Sequence, residues 1–293
     1  MLICPKCAEI AVDLVHFKCT ACQFEIQRKD GVPCFSPELS QYNQEYDSWF
    51  FTELAKVEDG HFWFEARNRL ILNSMRRFFP ASGRFLELGC GTGFVLRGIQ
   101  RQFPQYQLIG GEIYTEGLKF ASGRLPQVQF MQLDARKLPF ISYFDGIGAF
   151  DVLEHIQEDE QVLTQIHRSL KPGGQVILSV PQHMFLWSIV DDYSCHKRRY
   201  SRQELLEKIR RAGFEVVYFT SFMSLLLPLM YFIRLNKKKA GSDQIAEFKI
   251  GRFTNHVLGA VQNIEYFLTA ICGTRWPAGG SLVLVARKPL SSV

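Results

Sequence analysis

The chain has 293 residues, 47% of them apolar and 22% charged, an ordinary globular composition that excludes a disordered or fibrous protein and suggests about two domains. Lysine and arginine outnumber aspartate and glutamate by 34 to 29, a formal net charge of +5, too mild to imply a nucleic-acid partner unless it is concentrated, and no charged tail concentrates it. The longest apolar run, Phe222–Ile233, is broken by Pro228 and falls well short of the roughly 20 residues that cross a bilayer.

Residues 1–40 read as a small separate module. Met1–Ala8 lacks the apolar stretch and small-residue cleavage site of a signal peptide, which points to the cytoplasm, and in a reducing compartment paired cysteines argue for metal before disulfides. Cys4-Pro-Lys-Cys7 and Cys19-Thr-Ala-Cys22 are such pairs. A two-residue gap lets a turn present both thiolates to one ion, so Cys4, Cys7, Cys19 and Cys22 are the expected ligands of a closed, structural Zn2+ site. This stretch resembles a zinc ribbon, and Asp30-Gly31-Val32-Pro33 looks like the turn after the second knuckle of short bacterial ribbons. About 40 residues hold little core of their own, so metal binding is expected to supply much of the module's folding energy. Lys18, Arg28 and Lys29 are too few for a persuasive phosphate-binding face; protein docking or shaping of a substrate entrance stay open beside RNA docking.

Residues 41–80 form a helical, aromatic-rich lead-in (Trp49, Phe50, Phe51, Phe62, Trp63, Phe64), expected to pack against a sheet. From Arg84 onward, short apolar runs alternate with helical patterns, which predicts an α/β doubly wound fold with a seven-stranded sheet. The strands are Arg84–Leu88, Gln107–Glu112, Val128–Leu133, Phe144–Phe150, Gln175–Val180, Glu215–Phe219 and Leu282–Ala286. Helix Glu158–Leu170 stops at Lys171-Pro172-Gly173-Gly174; helix Arg202–Ala212 starts behind Ser201, with Glu204 completing a capping box, and stops at Gly213. The main domain, 81–293, carries a helical insertion at 223–280 with helices near Leu225–Arg234 and Thr254–Cys272, joined by a loop holding Lys237-Lys238-Lys239. The first of these is apolar on nearly all faces and precedes three lysines. It suits either peripheral membrane contact through 223–239 or a buried cap or dimer contact.

Phe85-Leu-Glu-Leu-Gly89-Cys-Gly91-Thr-Gly93-Phe94 is an apolar strand, an acid near its end and three alternating glycines leading into a helix. Glycine leaves no Cβ in the way, so a ligand can lie against the backbone where strand becomes helix. Phe94 removes the last glycine of a dinucleotide fingerprint, and the Gly-Lys-Ser/Thr of a phosphate-cradling loop is absent. Glu112, 19 residues beyond Gly93, ends the second strand where a carboxylate can accept both ribose hydroxyls. Asp134-Ala135 follows the third strand, and Asp151 closes the fourth. Acids in register with successive strand ends fit the rule that open α/β sheets bind ligands at their carboxyl edge.

On these residues, with Phe144–Ile156 and Leu170–Pro181, about residues 60–290 resemble the class I S-adenosylmethionine-dependent methyltransferases. Leu153-Glu154-His155 and Lys171-Pro172-Gly173-Gly174 are most similar to the small-molecule, ubiquinone-type branch. The resemblance implies strand order 3-2-1-4-5-7-6 with strand 7 antiparallel, and S-adenosylmethionine as cofactor. It implies that Glu87 sits near the cofactor's amino group, Gly89, Gly91 and Gly93 line its methionine portion, Glu112 with Ile113 holds the ribose, and Asp134 with Ala135 meets the adenine. Methyl transfer is an in-line displacement, so the enzyme mainly aligns the nucleophile and holds off water. His155, at the carboxyl end of strand four, and His196 are the candidate catalytic groups for an O or N acceptor. Trp187, Arg198, Arg199 and Tyr200, on the loop after strand five, are candidate substrate contacts, against a basic loop salt-bridged to Asp191 and Asp192. The expected acceptor is small or lipid-linked. The alternatives are an rRNA or tRNA base methyltransferase docking through its ribbon, and a non-catalytic binding module on this fold.

Overall fold

The computed structural model describes residues 1–13, 15–39, 48–236 and 250–290; the lysine triplet at 237–239 lies outside the described residues. The seven strands are β1 (Gly83–Leu88), β2 (Tyr106–Glu112), β3 (Gln129–Gln132), β4 (Phe144–Phe150), β5 (Leu170–Pro181), β6 (Glu215–Phe222) and β7 (Ser281–Arg287). They form one sheet in the order 3-2-1-4-5-7-6, parallel throughout except that β7 runs antiparallel to both β5 and β6. The fold class is the one the alternation of apolar runs and helices predicts, and the strand order is the one the resemblance implies.

The central strand shows why the sheet is covered on both sides. Successive side chains point to opposite faces, and in β1 Leu86 and Leu88 join one apolar core while Phe85 joins the other. Helices α1 (Ser48–Val57), α2 (Phe62–Phe78), α3 (Phe94–Gln102) and α4 (Thr115–Arg124) precede β3, and α5 (Asp159–Ser169), α6 (Ile189–Tyr193) and α7 (Arg202–Arg211) follow β4. Ile71, Leu96, Ile99 and Leu118 of α2–α4 fill the core on Phe85's side; Val162, Ile166 and Ile209 of α5 and α7 fill the other.

Local rules place the helix ends. Ser201 Oγ accepts from Glu204 N at 3.1 Å, but the Glu204 carboxylate reaches forward to Lys208 Nζ at 3.3 Å, so only half of the expected capping box is seen at α7. A complete box forms instead at α6, between Ser188 and Asp191. Helices α8 (Leu227–Asn236) and α9 (Arg252–Ala270) build the insertion. The first begins two residues later than expected because Pro228, which cannot donate a helical hydrogen bond, belongs in a first turn. β5 begins five residues earlier than expected, because its backbone pairs with Phe144 before the glycine turn and resumes at Gly146 with a register shift.

The cysteine-bearing segment shares the main core. Arg28–Lys29 pairs with Val32–Pro33 around Asp30-Gly31, whose positive φ angles of 50° and 81° make a tight reversal. Leu2, Phe17, Ile26 and Phe35 are buried in the same cluster as Met131, Phe140 and Phe144. Cys34 bridges to Gln132, and Ser36 exchanges hydrogen bonds with the Gln132 side chain at 2.9 and 2.8 Å. The segment thereby covers the outer edge of β3, which would otherwise be an unpaired sheet edge.

Candidate active site

A cavity of about 1240 Å³ lies at the carboxyl ends of β1, β2 and β4. Its floor is the glycine loop. Gly89, Gly91 and Gly93 all hold positive φ, at 67°, 50° and 77°, a region costly for residues with a Cβ. A Cβ on Gly89 would fall 2.4 Å from Val152, whereas one on Gly91 would meet open space within 4 Å. Gly89 and Gly91 line the cavity; Gly93 does not. It heads α3, and a Cβ there would come within 3.2 Å of Ala121, so its smallness serves the approach of α3 to α4.

Glu112 ties this loop to the end of β2. Its carboxylate accepts from Gly91 N at 3.0 Å, Ile113 N at 2.8 Å and Tyr114 N at 3.2 Å. Burial pushes its carboxyl above the ordinary glutamate range, against those three donors. Glu87 is also buried, and burial raises it further; among the described residues its Oε2 has no hydrogen-bond partner. Ile113, Asp134 and Ala135 face the same space, though Asp134 also holds Arg136, through Nε at 3.0 Å and Nη2 at 3.1 Å.

The helical lead-in contributes more than core packing. Phe64 packs in the core beside Phe85 and Phe94, with Trp63 against it, as expected, and Phe51, Trp63 and Phe64 also line the cavity. Arg67 of α2 pairs with Asp151 and lies 4.4 Å from the centroid of Trp63, a cation–π contact. Glu58, just past α1, accepts from Thr92 Oγ1 at 2.5 Å and from Arg124 Nη1 at 2.9 Å. Glu58, Thr92 and Arg67 were not legible as site residues, because only packing of the lead-in over the glycine loop brings them there.

On the far side, Asp151 and His155 line the cavity where β4 ends, and His196 and Arg199 face it from the loop after β5. The His155 and His196 rings lie 4.7 Å apart. Burial, reinforced by neighbouring His196 and Lys197, pushes His155 down to about 3, so it is a neutral, weakly basic imidazole at physiological pH. His196 Nδ1 is 2.8 Å from Asp191 Oδ1. Asp191 is buried, yet hydrogen bonds from His196 and Arg199 hold its carboxyl well below the usual range; Arg199 reaches it through Nε at 2.7 Å and Nη2 at 3.0 Å. Trp187, Arg198 and Tyr200 do not line the cavity. Trp187 Nε1 donates to Asp192 at 2.9 Å, and Arg198 and the Tyr200 hydroxyl converge on Asp159 at 2.8 and 2.7 Å. Arg198 and Tyr200 thus fasten the loop to α5, while Trp187 ties it to α6.

Leu226, Leu229, Met230 and Ile233, with Leu258 of α9, close the cavity with an apolar wall. Outside that wall, Phe232 and Phe253 are 63% and 83% exposed. Among the described residues, no helix is long and apolar enough to cross a membrane.

Away from the cavity, the four ribbon cysteines form one cluster. Cys4 and Cys22 sulfurs are 3.7 Å apart, as are those of Cys7 and Cys19. Four thiolates at the usual zinc–sulfur bond length define a tetrahedron with edges of about 3.8 Å, so the cluster has the dimensions of a zinc site.

The methyltransferase domain family matches residues 59–218. Among curated proteins, the chain is 28% identical over 219 residues to a biotin biosynthesis bifunctional protein of Teredinibacter turnerae, covering 66% of this chain and 35% of that one. It is 31% identical over 98 residues to a trans-aconitate 2-methyltransferase of an Azoarcus species, covering 33% and 39%. The chain thus spans well under half the length of these relatives. Among solved structures it is similar to the cyclase SpnF, with TM-score 0.53 and 26% identity over 78% of this chain and 84% of that one. It shares its fold with Haemonchus contortus phosphoethanolamine N-methyltransferase 2 in complex with S-adenosyl-L-methionine, with TM-score 0.57 and 18% identity over 86% and 60%.

Proposed function

The chain belongs to the methyltransferase domain family, and from that premise we propose that it transfers the methyl of S-adenosylmethionine to an oxygen or nitrogen of a small or lipid-linked acceptor. The observation that carries this reading is the pairing of an open glycine backbone at Gly91 with a buried carboxylate, Glu112, bonded to it at 3.0 Å. The residues present fit the cofactor. Space beside Gly91 accepts a ligand against the backbone, the orphaned Glu87 Oε2 suits a cationic amino group, and Glu112 Oε2, which has one backbone donor where Oε1 has two, keeps a lone pair for a ribose hydroxyl. Ile113, Asp134 and Ala135 would flank the base. When bound, the sulfonium supplies an activated methyl carbon.

The chain's own residues align the acceptor and exclude water. Phe51, Trp63 and Phe64 wall the cavity on one side and the α8–α9 residues on the other, while Arg67, His155 and His196 provide the polar groups. His155, neutral and weakly basic, is suited to positioning an acceptor rather than to removing its proton. The apolar wall and the exposed Phe232 and Phe253 beside it support a greasy acceptor reached from a lipid surface. The names of relatives include a trans-aconitate 2-methyltransferase, whose acceptor is a small molecule, and a malonyl-acyl carrier protein O-methyltransferase, whose acceptor is an acyl group on a carrier protein. In the ribbon, Cys4, Cys7, Cys19 and Cys22 would hold a structural Zn2+ that pins the cover over the β3 edge.

The test has two parts. Calorimetry should detect micromolar binding of S-adenosylmethionine and S-adenosylhomocysteine, and labelled methyl should pass into the lipid or soluble metabolite fraction of a cell extract. Label in RNA overturns the acceptor assignment. Binding without transfer to any fraction favours a binding module, and absence of both overturns the reading entirely.

A further inference from the structure

Between the cofactor-side glycine loop and the α8–α9 wall, Glu154, His155 and His196 each offer one ligating atom, all within 4.8 Å of one another. Glu154 sits in a short helical turn after β4 and its side chain is wholly buried. Among the described residues neither of its carboxylate oxygens has a hydrogen-bond partner; the nearest cation-forming atom recorded is His196 Nε2 at 4.0 Å. A buried acceptor without a donor costs roughly 1–3 kcal/mol, and more when it is charged. The guanidiniums on this side of the cavity are committed elsewhere, Arg67 to Asp151, Arg199 to Asp191 and Arg234 to the Leu186 carbonyl.

The histidine is prepared for the opposite role. His196 uses Nδ1 on Asp191, which leaves the Nε2 lone pair facing Glu154. A carboxylate bonded to the far nitrogen of a ligating imidazole is the arrangement that fixes tautomer and ring orientation at metal centres. Asp191 is itself locked by Arg199 and by the capping box at Ser188, so this support is rigid.

We propose that Glu154, His155 and His196 form a second metal site, distinct from the cysteine cluster, that takes a divalent first-row transition ion. With no edge above 4.8 Å, a point inside the triangle lies no more than about 2.8 Å from each corner, so a closure of about half an ångström reaches the 2.0–2.2 Å of zinc bonds to nitrogen and oxygen. Two imidazoles and one carboxylate suit zinc, iron or cobalt over magnesium or calcium. Three protein ligands leave positions open toward the cavity, and there the ion takes an oxygen of the acceptor. In transfer to that oxygen, the bound hydroxyl releases its proton to solvent and its lone pair forms the new bond to the methyl carbon; the carbon–sulfur pair stays on sulfur, leaving a thioether. This acceptor role rests on the methyl-transfer reading, whereas metal binding does not.

Cobalt(II) separates the two sites. Titrated into the metal-free full-length protein, cobalt should occupy two sites per chain. One gives intense near-ultraviolet thiolate charge-transfer bands, and the other gives only weak visible bands of a nitrogen- and oxygen-ligated ion. Glu154→Gln and His196→Ala should each weaken the second site at least 100-fold while leaving the thiolate bands intact, which also reports that the variants fold. Cys19→Ser should do the reverse. A single site per chain, or a second site unaffected in both Glu154→Gln and His196→Ala, overturns the proposal. Calorimetry of S-adenosylhomocysteine with the unsubstituted protein keeps the outcomes apart: cofactor binding with no second cobalt site in that protein refutes the metal and spares the methyltransferase reading.

Discussion

Replacing Glu112 tests the cofactor site most directly. Its carboxylate is the only charged group bonded to both the glycine loop and the end of β2 in the contacts described above, and it accepts three backbone donors at 2.8–3.2 Å. A ribose hydroxyl on Oε2 would add one hydrogen bond to a charged acceptor, worth about 1.5–3 kcal/mol. Glu112→Ala should therefore lose about 1.5–3 kcal/mol of binding, roughly a 10- to 10²-fold rise in the Kd for S-adenosylhomocysteine. Glu112→Gln, which keeps the shape but presents an amide nitrogen on one side, should fall between. The pH dependence follows from burial, which raises the carboxyl above the ordinary glutamate range. In the folded, ligand-free protein the proton is taken up at a higher pH than in the unfolded chain, so acidification relieves the cost of a buried charge. Over the same interval the acceptor carboxylate is lost, so affinity should decline before an ordinary glutamate would titrate, and Glu112→Gln should flatten that limb. The assay is calorimetry from pH 5 to 8, with a melting curve for each variant to confirm folding. A folded Glu112→Ala that binds within threefold of the parent would refute the reasoning.

Other substitutions probe the surrounding frame. Gly89→Ala must adopt a positive φ and meets Val152 at 2.4 Å, which should cost roughly 1–3 kcal/mol of stability and be visible in urea denaturation. Arg67→Ala strips the cation from Asp151 and from the neighbourhood of Glu87; the pair is partly buried, so its loss should cost roughly 1–3 kcal/mol, and a loss below about 0.5 kcal/mol would show that the charges are solvated. Chelation of the ribbon metal, or Cys19→Ser, should lower the melting temperature of the whole chain in one transition, because Phe17 and Phe35 belong to the main core; a separate early transition would mean that the segment is independent. Phe232→Ser and Phe253→Ser together should reduce co-sedimentation with vesicles containing anionic lipid while leaving cofactor affinity unchanged.

Much of this architecture was legible without coordinates because its signals are local. Alternating apolar runs and glycine or capping punctuation specify the seven strands to within a few residues at most ends, and a glycine loop behind an apolar strand has few physical uses. Cysteine spacing likewise announces a metal cluster, since two-residue gaps set the distance between thiolates. Tertiary packing decided the rest. Trp63 and Phe64 read as core residues because aromatic composition carries no direction, and only the placement of α2 over the glycine loop turns them toward the cavity. Trp187, Arg198 and Tyr200 share a short segment with Arg199 and His196, yet Asp159 and Asp192 draw the first three away while Asp191 holds the other two beside the cavity. Glu154 and His196 are 42 positions apart in sequence. They become neighbours because parallel strands deliver their loops to the same edge of the sheet, a juxtaposition that belongs to the sheet as a whole and to no local stretch of the chain.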